Sequence, residues 1–166
     1  MKLTLPCLLA LALLAGCVTR PPPATTFTLV RHAEKVPDGS KDPELTPAGL
    51  ARADALAVRL ADAPLDAVYS TDFRRTQQTA APTARGHHLT VITYDAKESA
   101  ADFSTRLKRE HAGQSVLVVG HSNTIPGIAS ALCSCAVAEM SEAEYDRLTT
   151  VRIAADGKAT LEEGRQ

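Results

Sequence analysis

Hydrophobic positions along this chain fall into two kinds of run, short near-continuous stretches and longer stretches at helical spacing, and the two kinds alternate. Phe27-Thr28-Leu29-Val30, Asp66-Ala67-Val68-Tyr69, Thr90-Val91-Ile92-Thr93-Tyr94 and Val116-Leu117-Val118-Val119 are of the short kind. Each is apolar or β-branched with few polar interruptions, as strands buried on both faces are. The helical stretches lie between them. Thr46-Pro47 joins an N-capping hydroxyl to a proline at the first helical position, and Leu50, Ala53, Ala57 and Leu60 keep helical spacing after it. A second helix is predicted from about Phe73 toward Ala84, with Pro82 disturbing its end and Gly86 stopping it. A third runs from about Ser99 to His111 with Phe103 and Leu107 inward, and a fourth from roughly Thr124 to Leu132 with Pro126 in its first turn. Ser141 and Glu144 have the spacing of a capping box for a short helical turn. Leu148 to Ala154, Asp156-Gly157 and Ala159 to Glu162 read as a terminal hairpin.

Strands alternating with helices predict an α/β fold, a three-layer sandwich with a mostly parallel central sheet and a C-terminal β-hairpin. Ligands of such sheets sit beyond the carboxyl ends of the strands. The residues just past each strand are therefore informative. The first strand runs into Arg31-His32, the second into Ser70-Thr71-Asp72 and Arg74-Arg75, the third into Asp95 and Glu98, and the fourth into Gly120-His121-Ser122-Asn123. Two histidines, several arginines and a few carboxylates gather along one edge. Guanidinium forks match phosphate geometry, so this edge reads as an anion site with an imidazole beside it.

Composition narrows the picture. The 166 residues are 45% hydrophobic and 22% charged, which is a globular balance and excludes general disorder. Eighteen Lys+Arg against nineteen Asp+Glu leave a formal charge of −1, which gives no support for a general nucleic-acid binder. Trp is absent and aromatics are 4%, which argues against stacking platforms for single strands.

The chain starts differently from the rest. Lys2 precedes an apolar run, Leu8 to Ala15, that Gly16-Cys17 closes. A basic start, a short apolar stretch and small residues at the cut are the marks of a secretory signal, here residues 1–16. The run is shorter than the roughly 20 apolar residues a bilayer span needs. Leu14-Ala15-Gly16-Cys17 resembles the lipobox of bacterial lipoproteins, which implies cleavage before Cys17 and acylation there. Residues 17–26, with Pro21-Pro22-Pro23, then read as a spacer between a lipid anchor and a domain spanning 27–166. Attachment would be through the anchor alone, on the periplasmic face of a bacterial membrane. With Val18 after the cysteine, lipoprotein sorting favours the outer membrane. Cys133 and Cys135 remain in the domain, one residue apart; a bridge permitted by export would be strained across a single residue, the spacing does not make a metal site, and their expected role is structural or incidental.

Three segments carry a family resemblance. Leu29-Val30-Arg31-His32-Ala33-Glu34, Tyr69-Ser70-Thr71-Asp72-Phe73-Arg74-Arg75-Thr76-Gln77-Gln78-Thr79-Ala80 and Val118-Val119-Gly120-His121-Ser122-Asn123 resemble, in order, the blocks of the histidine phosphatase superfamily, the phosphoglycerate-mutase-like fold. The resemblance implies a metal-independent, cofactor-free acid phosphatase-type hydrolase acting on phosphate monoesters or phosphoramidates through a phosphohistidine. His32 would be the nucleophile, and Arg31, Arg75 and His121 the phosphate pocket, with Asn123 also at the substrate. Arg75 is preferred to Arg74 because it directly precedes Thr76. Larger members of the family place a carboxylic acid after the third strand, where this chain has Glu98 and Asp95. Short phosphohistidine phosphatases, which this chain resembles in size, have no dedicated acid, and the choice between these three stays open. His87-His88 and His111 match no block and read as surface or helix-end residues.

The chemistry suits these residue types. A neutral imidazole nitrogen can attack phosphorus to give a covalent intermediate that water later hydrolyses. A hydrogen bond on the other nitrogen aims the lone pair. Arginines can carry the transition-state charge without a metal. A serine hydrolase reading of Gly120-His121-Ser122-Asn123-Thr124 fails at Thr124, where the elbow needs glycine. A non-catalytic envelope lipoprotein that only binds an anion is the alternative. Export would point to envelope phosphate esters or small organic phosphates as substrates; the sequence names neither the substrate nor the oligomeric state.

Overall fold

The computed structural model describes residues 23–166. Its elements run in the order β1 (Thr25–Arg31), α1 (Pro47–Arg59), β2 (Ala67–Ser70), α2 (Arg74–Gly86), β3 (Val91–Thr93), α3 (Ala100–Glu110), β4 (Ser115–Gly120), α4 (Ile125–Cys133), β5 (Arg147–Ile153) and β6 (Ala159–Arg165). One six-stranded sheet has the order β3-β2-β4-β1-β5-β6. β3, β2, β4 and β1 are parallel, and the β5–β6 hairpin joins antiparallel beside β1. β1 and β4 are thus central, and their carboxyl ends, Arg31 and Gly120, stand side by side in register.

The near-continuous apolar runs are explained by helices on both faces. Phe27, Leu29, Tyr69, Val116 and Val118 pack with Phe103 and Leu107 of α3 and with Ile125, Ile128 and Leu132 of α4. Val30, Val68, Leu117 and Val119 point the other way, to Leu56 of α1, Leu60 just after it, and Ala80 and Ala84 of α2. This strict alternation gives the expected three layers.

Several details differ from the sequence expectations. β1 begins at Thr25, two residues before Phe27. The buried stripe of α1 is Gly49, Ala53 and Leu56, while Leu50 is 46% exposed. Gly49 lies against the backbone of Glu34, and a Cβ there would collide with the Glu34 carbonyl oxygen, so the helix face is set by that close approach. Pro82 sits inside α2, which continues to Gly86, and the left-handed residue that ends the helix is His88 at φ 57°. Residues 141–144 form a turn and not a capped helix. Cys133 and Cys135 form a disulfide at the end of α4, with Cα atoms 5.2 Å apart and Ser134 in the left-handed region between them. The signal, lipobox and acylated Cys17 read from the sequence lie outside the described residues. Among the described residues no helix is long and apolar enough to cross a membrane.

The Gly49 contact is directly testable. Gly49→Ala should cost about 1–3 kcal/mol in urea unfolding, the range for overpacking. Gly86→Ala, at a position with open space around it, should be neutral or stabilising by up to about 1 kcal/mol. Equal effects from the two changes would mean that the α1 approach is not tightly packed.

Candidate active site

The two central strands end in the residues that matter. His32 follows β1 and is 3% exposed; its backbone N–H donates to the Gly120 carbonyl at 2.9 Å, which ties it to the end of β4. His32 Nδ1 lies 2.8 Å from the Ala33 carbonyl oxygen. A carbonyl only accepts, so this contact assigns the proton to Nδ1 and leaves the lone pair on Nε2. The Ala33 N–H donates in turn to Thr79 Oγ1 of α2. Beyond it, the Glu34 carbonyl accepts from the Thr46 N–H that opens α1, and the Glu34 carboxylate takes a two-pronged pair from Arg52. The loop carrying His32 is therefore pinned to both helices of one layer.

His121 follows β4 through Gly120. Its Nε2 is 3.1 Å from Thr71 Oγ1, which is 2.7 Å from Thr76 Oγ1, which donates to the Phe73 carbonyl at 2.7 Å. Read from the fixed end, each hydroxyl donates toward Phe73, so Thr71 accepts and His121 Nε2 carries a hydrogen. The Thr124 hydroxyl accepts from the His121 N–H, closing the turn into α4. The two imidazole centroids are 5.4 Å apart, edge to face.

Arg31 and Arg75 flank the rings. Arg31 is 1% exposed, its guanidinium 4.2 Å from the Tyr145 ring centre. Its Nη1 reaches the carbonyls of Ser141, Glu142 and Glu144 at 3.1, 2.9 and 3.1 Å, and its Nη2 donates to Glu142 Oε2 at 2.9 Å. Arg75, in the first turn of α2, lies over the Phe73 ring at 4.4 Å. The Nε atoms of both arginines are buried without a protein partner. The Arg74 side chain turns outward to pair with Glu44, while its backbone N–H donates to Asp42. A cavity of about 430 Å³ joins Arg31, His32, Arg75 and His121, with Ser122 and Glu142 in its wall and Lys35 and Asn123 at its exposed rim.

Burial and positive neighbours govern the imidazoles. Desolvation is the largest influence on His32 and, with Arg31, His121 and Arg75 nearby, pulls its pKa down to about 3 despite the opposing Ala33 hydrogen bond. His121 is lowered to about 4, again chiefly by burial and then by Arg75 and Arg31, with Asp72 and Glu142 opposing. Both rings are neutral at ordinary pH. Desolvation also lowers the Arg75 pKa.

The proposed acids do not join this set. Glu98 pairs with Arg106 at 2.6 Å and borders a separate, smaller cavity, because the helix it precedes brings Arg106 back over it. Asp95 accepts from the Lys97 N–H at 2.8 Å and holds a turn. His87 bonds the Leu60 carbonyl and His111 the Tyr69 hydroxyl, both away from the cavity. The carboxylate that does reach the cavity is Glu142, which sequence reasoning misses together with Lys35 and Tyr145. Among the described residues, no three His, Cys, Asp or Glu side chains are grouped as a metal site would need.

Residues 27–98 match the family described as the histidine phosphatase superfamily (branch 1). No curated protein matches the chain. A SixA protein of Nakamurella multipartitia is 24% identical over 88% of this chain and 98% of its own, with a TM-score of 0.65. The protein histidine phosphatase SixA complexed with tungstate is 18% identical over 84% of this chain and 96% of its own, with a TM-score of 0.67. Mycobacterial glucosyl-3-phosphoglycerate phosphatase is 16% identical over 84% and 97%, with a TM-score of 0.68. These likenesses are of fold.

Proton binding gives a direct check. In the folded protein the His32 and His121 Cε1 proton resonances should keep neutral-imidazole shifts down to about pH 5. Both folded values lie below the ordinary 6.5. The unfolded chain therefore binds more protons, and the stability present above 6.5 is lost as pH falls toward 4 and then 3. The urea midpoint should fall across that interval. A titration midpoint near 6.5 for either folded ring would show that water reaches it.

Proposed function

We propose that the chain is a phosphatase of the histidine phosphatase superfamily, whose family description residues 27–98 match, and that it hydrolyses phosphate monoesters or phosphoramidates through a phosphohistidine on His32. The observation that carries this reading is the assigned tautomer. Nδ1 is held by the Ala33 carbonyl, so the Nε2 lone pair is free beside two guanidiniums and a second imidazole.

In the first step Nε2 attacks phosphorus, the P–N bond forms, and the bond to the leaving oxygen or nitrogen breaks with its electron pair. In the second step water attacks the same phosphorus, the P–N bond breaks, and inorganic phosphate leaves. Arg31 and Arg75 stabilise charge on the equatorial oxygens in both steps, which needs no metal; His121, whose Nε2 hydrogen is committed to Thr71, joins them by taking a proton on Nδ1 when the phosphate's negative charge enters. With Glu98 and Asp95 held elsewhere, the site best suits leaving groups that need little protonation, such as phosphoramidates and aryl esters. The named activities of fold neighbours, a protein histidine phosphatase and a glucosyl-3-phosphoglycerate phosphatase, bracket the same chemistry.

Turnover quenched in base should trap alkali-stable, acid-labile phosphate on the protein, in the presence of EDTA. His32→Ala should remove the trapped label and lower turnover by at least about 10³-fold. His121→Ala should slow both steps by about 10²–10³-fold without moving the label. Near-normal turnover by His32→Ala would exclude the phosphohistidine route, and a wild-type protein that binds phosphate without releasing it from any ester would favour the anion-binding alternative.

We also propose that Cys17 anchors the domain to the periplasmic face of a bacterial membrane, the outer membrane being favoured, where envelope phosphate esters would be within reach. The support is the apolar run ending at the lipobox-like Leu14-Ala15-Gly16-Cys17. Cys17→Ser should leave the protein unprocessed or shift it from the membrane fraction to the soluble one. Recovery of wild-type protein as soluble and cytoplasmic would reject this placement.

A further inference from the structure

Glu142 is an unusual neighbour for a phosphate site. It is the carboxylate of the cavity wall, and its two oxygens are divided between Arg31 and Ser122. Its side chain is 78% exposed while that of Arg31 is 1% exposed, so the ion pair has one fixed end and one free end. The fixed end does not depend on the Glu142 carboxylate. Arg31 Nη1 is held by three backbone carbonyls, and the ring of Tyr145 lies against the guanidinium.

A guanidinium offers an oxyanion a fork of two parallel N–H groups, and its Nε and Nη2 share one edge. On Arg31 that edge is half filled. Nη2 donates to Glu142 Oε2, and Nε, buried, has no partner. The other Glu142 oxygen is taken by Ser122, so the carboxylate cannot close the fork. A phosphoryl group has oxygens for both prongs.

We propose that Glu142 is an internal competitor of the phosphoryl group, a carboxylate that occupies Arg31 Nη2 and Ser122 until phosphate displaces it from the Nε–Nη2 edge. This deepens the proposed function and rests on the cavity being the phosphate site. Displacement requires only that the exposed side chain swing out, since the backbone at Glu142 stays bonded to Arg31 Nη1. Return of the carboxylate then favours release of inorganic phosphate after hydrolysis. The Ser122 hydrogen bond, followed by the charges of Arg31 and Lys35, holds the carboxyl below its usual range despite partial burial, so it competes as an anion.

Binding of inorganic phosphate to the whole protein, measured by calorimetry at one neutral pH, tests this. Glu142→Gln keeps the shape and removes the charge, and Glu142→Ala removes both. Each should bind phosphate at least about 10-fold more tightly than wild type, within the usual span of coupling between two ligands. Arg75→Ala should bind it more weakly. Unchanged or weaker binding in both Glu142 variants, with Arg75→Ala weakened, would overturn the competitor role and leave the phosphate site standing. Unchanged binding in Arg75→Ala would remove the phosphate site and the competitor with it. If the Glu142 variants keep wild-type affinity and lose turnover only on alkyl esters, the residue is a proton donor and the proposal is wrong.

Discussion

A buried guanidinium organises this molecule. Arg31 ends the central strand β1 and is 1% exposed, and an arginine does not give up its proton to escape burial. Its charge must be met by hydrogen bonds, or the fold loses several kcal/mol. The partners are three carbonyls from residues 141–144, over a hundred positions away in a segment without regular structure. The benefit is mutual, because carbonyls in such a segment lack ladder partners of their own. Arg147 on the neighbouring strand does the same for the Ala138 and Glu139 carbonyls, and pairs with Glu144. Two guanidiniums on adjacent strands therefore shape the loop between α4 and β5, and that loop closes one wall of the cavity.

The same charge accounts for the neutral state of His32, the proposed nucleophile. Two guanidiniums and two imidazoles in a poorly solvated cavity cannot all be cationic, and the arginines are the ones that keep their protons. The histidines become neutral, which is the state an attacking ring needs. In the proposed reaction a phosphorylated substrate would reverse part of this balance by bringing negative charge against the arginines and against His121, whose Nε2 is already engaged by Thr71. The positive surroundings thus serve twice. They hold His32 neutral in the free protein, and in the proposed reaction they would stabilise the phosphoryl oxygens.

Much of this is legible in the sequence, for physical reasons that also mark where legibility ends. Strands covered on both faces are nearly continuous apolar runs, so β1, β2 and β4 are placed closely by pattern, and the residues after them include His32, Arg75 and His121. The face of α1 misleads because a glycine, Gly49, occupies the buried position and Leu50 turns to solvent; a close approach of backbones leaves no hydrophobic signal. Glu98 is a reasonable carboxylate after the third strand, but its nearest cation, Arg106, lies eight residues on and claims it. Glu142 is hidden by a local pattern. Ser141 and Glu144 have capping-box spacing, yet their backbone carbonyls turn to Arg31, a partner that no window of neighbouring residues contains.

The division between a buried floor and an exposed rim also says where selectivity resides. Arg31, His32, His121 and Ser122 are buried and come from the ends of β1 and β4, whose registers are fixed by the sheet. Under the proposed function, such residues would recognise what every substrate of the class shares, the phosphoryl group. Lys35, Asn123 and Glu142 are exposed and come from three separate loops. A leaving group lying outside the floor meets one cation, one amide and one carboxylate there, none of them fixed by a strand. Loops can change without disturbing the sheet, so substrate choice can drift at the rim while the chemistry of the floor is kept. The disulfide between Cys133 and Cys135 belongs to this arrangement, because it closes the end of α4 where the loop carrying Glu142 begins. With that end closed and the two arginines holding the rest, the loop backbone is fixed at several points, and the exposed Glu142 side chain is free to exchange partners at the mouth of the site.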